Sequence, residues 1–115
     1  MDMLSALAAS GIACSFATAS IDGRRPFDSR LDLELTAAPA EGFALMRSEG
    51  ERDAPFAVAR RGAWTSFSSD EVFDFGRNAI IDIGPGGHAV MVVNQPGMAA
   101  QILSREGRCR PREAQ

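Results

Sequence analysis

The sequence predicts an all-β fold: a small antiparallel meander of about eight short strands, closed as a barrel or folded as a sandwich, behind a short N-terminal helix. Three observations carry that prediction. Apolar and polar residues alternate in several short runs, turn residues punctuate the chain about every ten positions, and a helical period is confined to the first few residues.

The elements follow in chain order. Asp2 to Ala9 reads as a helix with Met3, Leu4 and Leu7 on one side. In 12–20, Ile12, Cys14 and Phe16 alternate with smaller or polar residues, which puts them on one face of a strand. Asp22-Gly23 is a tight-turn dipeptide that supplies positive φ cheaply. In 28–36, Leu31, Leu33 and Leu35 share one face, and Asp28, Asp32 and Glu34 stand near Arg30 on the wet one. Strands are expected over 42–48, 55–60 and 63–68, with a polar loop across 48–55 and a turn at Arg61-Gly62. The stretch 72–75 reads as a strand continuing 63–68 through a bend, or as part of a helix from Ser69 to Arg77. The last strands are 79–83, 88–94 and 98–104, separated by Gly84-Pro85-Gly86-Gly87 and by Gln95-Pro96-Gly97-Met98. These three contain little polar residue content, as expected of strands covered on both faces.

A chain of 115 residues is long enough for one core and one domain. The expected division is a helix or leader-like segment at 1–11, a β-domain at 12–109 and a basic tail at 110–115. No apolar run approaches the ~20 residues of a membrane-spanning helix. The net charge of −3 argues against nucleic acid as a partner, since its binders present a basic face. All basic residues are arginine, and Arg105, Arg108, Arg110 and Arg112 crowd near the C-terminus. An anionic contact and a simple solvated end both fit such a tail.

Cys14 falls in the first expected strand and Cys109 just past the last. First and last strands of a closing meander are neighbours, so the two thiols are disulfide candidates. Such a bond persists outside the reducing cytosol. The segment 3–14 also resembles the end of a secretory signal approaching a lipid-modified cysteine at Cys14, although Gly11 stands where leucine is preferred. The two readings exclude each other, and both place the domain outside the cytoplasm.

Candidate chemistry is sparse. His88 is the single histidine, and with Asp70 or Asp82 it would make a minimal acid–base pair. Asp70, Glu71 and Asp74 form an acidic patch, which is usually a solvated rim. No spacing points to a metal site, and the glycine loop lacks the Lys and Ser/Thr of a phosphate cradle. No cofactor is expected. Trp64 follows Arg60 and Arg61 closely; Trp anchors interfaces and arginine stacks on it, so these three are the binding candidates.

The layout, with short strands in succession and a cysteine near each end, resembles that of small periplasmic β-barrel inhibitors such as those acting on c-type lysozymes. The resemblance is one of architecture, and no residue that would carry such an activity is matched. The expectation is a non-enzymatic, exported, bacterial β-domain that binds a protein or envelope component, with oligomerisation open. The alternative is a cytosolic or virus-encoded interaction or assembly protein with reduced cysteines. A third reading is a small enzyme using His88.

Overall fold

The computed structural model describes residues 3–48, 54–69, 78–95 and 101–112. A helix, α1 (Met3–Ala9), precedes eight strands: β1 (Ile12–Ile21), β2 (Phe27–Ala37), β3 (Phe43–Ser48), β4 (Ala54–Arg61), β5 (Trp64–Ser69), β6 (Asn78–Ile83), β7 (His88–Gln95) and β8 (Gln101–Pro111). Each strand pairs antiparallel with the next, and β8 returns to pair with β1. The meander is therefore a closed barrel, which leaves no unpaired strand edge.

Alternation decides what fills it. Ile12, Cys14 and Phe16 of β1 point inward beside Leu33 and Leu35 of β2. Phe56 and Phe67 enter from β4 and β5, and Ala79, Ile81 and Ile83 from β6. Ala89, Met91 and Val93 of β7 complete the core. Eight strands enclose a space that side chains can just fill. The fit is closest at the β1–β8 seam, where Gly107 lies opposite Phe16. A Cβ built on Gly107 would stand 2.1 Å from the Ser15 carbonyl oxygen and 2.8 Å from the Phe16 ring. Only glycine fits there.

One turn of α1 closes over this end of the barrel. Ala6 and Leu7 are buried against the core, and the helix packs on β1, β2 and β8. Its last carbonyl in reach, that of Ala6, accepts from both Ser10 N (3.0 Å) and Gly11 N (2.8 Å). The other end of the seam is looser. Between Phe16 and Ser20 the β1–β8 register slips, as the β1–β2 register does between Phe16 and Thr18. Such bulges bend strands at barrel corners.

Two expectations are corrected. β8 runs to Pro111, beyond the expected end at 104, so Cys109 and Arg110 are strand residues and not the start of a tail. The physical reason is two-sided pairing: β7 and β1 both bond to β8, and this holds a polar sequence extended. Next, β6, β7 and β8 are covered on one face only. Their outer faces leave Ile80 (47%), Val92 (38%) and Ile102 (53%) exposed, with Ile80 and Val92 directly opposite each other. Ser69 is the last residue of β5. The rest of the bent-strand or helix region, 70–77, lies outside the described residues, as do 49–53 and the turn at 96–98.

Candidate functional site

Closure brings the two cysteines together. Cys14 and Cys109 are register partners across the seam, with Cα atoms 4.0 Å apart and sulfurs bonded at 1.99 Å. Both are buried. A cysteine held this way has no thiol to carry lipid, so the lipid-anchor reading of Cys14 is set aside.

Trp64, Arg60 and Arg61 meet at the β4–β5 hairpin, but the sheet separates them. Arg61 is the register partner of Trp64 on the outer face. Arg60 pairs with Thr65, whose neighbour on β6 is the inward Ile83, so Arg60 stands at the barrel mouth. Trp64 is 36% exposed. Its indole lies flat along the backbone of Gly84, where a Cβ would come within 2.8 Å of two ring carbons. The His88 ring meets it edge-on, with centroids 6.3 Å apart. The glycine loop thus serves as the floor beneath Trp64 and not as a phosphate cradle.

His88 is exposed on the outer face at the start of β7. No hydrogen bond or ion pair among the described residues joins it to a carboxylate, and Asp82 is the register partner of Val90 instead. Asp70, Glu71 and Asp74 lie outside the described residues. On the wet face of β2, Arg30 bonds Asp32 at 3.0 Å, and the Ser15 hydroxyl donates to the other Asp32 oxygen at 2.7 Å. These bonds hold the Asp32 carboxyl below its ordinary pKa, Arg30 contributing most and Ser15 next.

Two features escape a reading of the sequence. The first is Arg105, which projects inward opposite Met91. Its guanidinium donates to the Ser29 carbonyl at 2.7 Å and to the Ser29 hydroxyl at 3.3 Å, while its buried Nε has no partner. Burial lowers its pKa from the ordinary guanidinium value. The link ties β8 to β2 across the slipped stretch of β1. An arginine among other arginines gives no hint of this in sequence; only parity with Leu103 and Cys109 does.

The second is a cavity of about 340 Å³ at the helix end. The helix α1 packs on β1, β2 and β8, and the cavity opens beside it, between the ends of β4, β5, β6 and β8. Met3, Ile83, Pro85 and Pro111 give it apolar walls, and Arg60, Thr65 and Arg110 line it as well. Arginines surround this end. Arg108 donates to the Gly86 carbonyl at 2.9 Å, Arg60 to that of Gly62 at 3.3 Å, and Arg112 pairs with Glu34 at 3.4 Å. The chain is acidic overall, yet this end carries Arg60, Arg61, Arg108, Arg110 and Arg112.

No helix among the described residues is long and apolar enough to cross a membrane. Compared with protein-family models, with curated proteins and with solved structures, the chain matches none, so the likeness to periplasmic inhibitors rests on layout alone.

Proposed function

We propose that this chain is an exported, non-enzymatic binding domain that takes a protein or envelope component at the arginine-bordered end of its barrel. The observation that carries the reading is the Cys14–Cys109 bond across the seam, a bond that lasts in an oxidising compartment. It holds the framework closed while Trp64, exposed beside Arg61, presents an amphipathic ring to solvent. Trp and Arg together are the side chains most often found at the energetic centre of protein contacts.

The test is made in the cells that produce the protein. Thiols are alkylated before lysis, the cells are fractionated, and a photo-crosslinking amino acid replaces Arg61. The expected result is an unalkylated, disulfide-bonded protein outside the cytoplasm, crosslinked to one envelope component, with the crosslink lost in Trp64→Ala. Two alkylated thiols in a cytosolic protein would overturn the reading and favour the assembly protein, whose contact face would be the strip of Ile80, Val92 and Ile102.

A further inference from the structure

We infer that the partner offers an acidic peptide segment, with an apolar side chain between its carboxylates, to the outer-face row of Arg61, Trp64, His88 and Arg108. The inference rests on the binding reading above and adds the chemistry of what is bound.

The row follows from strand register. Arg61 pairs with Trp64 across the β4–β5 hairpin, and His88 pairs with Arg108 across β7 and β8. Gly84 stands between the two pairs, and its N–H donates to the His88 carbonyl at 2.8 Å. All four side chains are exposed. The inner side of the indole rests on Gly84 and the His88 ring meets it edge-on, so the ring is held in place while its outer side faces solvent.

The charges at this face lack partners of their own. Asp32 is taken by Arg30 and Glu34 by Arg112. No ion pair among the described residues engages Arg61, Arg108 or Arg110. Arg108 does bond, but to the neutral carbonyl of Gly86, which fixes the guanidinium and leaves its charge uncompensated. Asp82 and Glu106 stand one row further from the mouth, on either side of Val90. Arginine and tryptophan side chains donate hydrogen bonds and accept none, so their complement is rich in acceptors and negative in charge.

The order of the row selects a peptide over a uniform polyanion. Its cations stand at the ends and its rings in the middle, with four strand spacings from Arg61 to Arg108, roughly 19 Å along the sheet. An extended segment of about six residues covers that span. A carboxylate at each end meets an arginine, and the apolar side chain between them covers the indole. A chain with a carboxylate on every unit, such as an acidic polysaccharide, would set charges against the rings as well.

The experiment titrates the intact, disulfide-bonded protein with the doubly blocked peptide Glu-Glu-Ala-Phe-Ala-Glu-Glu. Its counterparts have glutamine for every glutamate, or serine for phenylalanine, and an oligomannuronate of equal charge stands for the polysaccharide. Trp64 emission and the amide shifts of Arg61, Trp64, His88 and Arg108 are followed. The acidic phenylalanine peptide is expected to bind with Kd on the order of 1 mM and to weaken as salt rises. The glutamine peptide is expected not to bind, and the serine peptide and oligomannuronate to bind about tenfold more weakly. Arg61→Glu and Arg108→Glu are each expected to weaken the acidic peptide about fivefold, and Arg24→Glu, on the turn at the opposite end of the barrel, to leave it unchanged. Should Arg108→Glu disturb the glycine loop, Arg61→Glu carries the test alone. Equal binding of the glutamate and glutamine peptides, an oligomannuronate that binds as tightly as the peptide, or no shift with the acidic peptide at about 10 mM would overturn the inference. Peptide binding without an envelope crosslink would leave this surface standing and remove the exported role; a crosslink without peptide binding would do the reverse.

Discussion

The β1–β8 seam and the β4–β6 wall belong to one barrel, yet they are built to opposite ends. At the seam, Phe16 fills the space that Gly107 leaves, a disulfide joins the strands directly, and α1 lies over the top. Along the wall, only Met3 of the helix reaches the rim, Thr65 borders a cavity, and an indole rests on the surface. The difference teaches where this fold concentrates rigidity and where it leaves room. A side chain that must meet a partner is better placed when the elements behind it cannot move.

Several substitutions would break or sharpen that contrast. The largest effect belongs to the seam: replacing both Cys14 and Cys109 with alanine should cost about 4–5 kcal/mol on the chain-entropy account of closing so long a loop. Urea unfolding measures it, and a loss below about 1 kcal/mol would mean that the seam holds without its bond. Gly107→Ala comes next, at about 2–3 kcal/mol, since the new methyl meets the Ser15 carbonyl and has nowhere to go. On the wall the matching change, Gly84→Ala, meets only the face of an indole ring, a side chain that can swing outward. It should cost about 1 kcal/mol and shift Trp64 emission to the red. If both glycine variants lose the same stability, the two regions are equally tight and the contrast fails.

Thr65→Val should change stability by less than about 0.5 kcal/mol, because the residue borders an open cavity. A clear loss in calorimetry would reveal a partner for that oxygen. The smallest effect is electrostatic. Asp32 has a depressed folded pKa, so its contribution is complete above the unfolded-chain value and is lost as pH falls through the folded one. Carbon-detected NMR should find Asp32 titrating below the ordinary aspartate range, and Arg30→Gln should return it toward that range.

Much of this fold is local and was open to reading. Leu31, Leu33 and Leu35 declare their strand by alternation, Asp22-Gly23 its turn, and Cys14 and Cys109 their meeting once a closing meander is assumed. What stayed hidden depends on register. Whether Arg105 points into the barrel or out of it is decided by its pairing with Met91, far away in the chain. The strips of Ile80 and Val92 look like doubly buried strands because composition cannot say what lies on the second face. Half of the candidate site was legible for the same reason: Trp64 and Arg61 are conspicuous, but the cavity is assembled from α1, β4, β5, β6 and β8, which only the closed barrel brings together.

The cross-strand bond also makes the β-domain a covalent ring. A protease that cuts any one peptide between Cys14 and Cys109 produces two polypeptides that cannot part, because their far ends remain tethered sulfur to sulfur. The nicked product keeps the mass of the whole plus one water, and it separates into fragments only when a reductant is added.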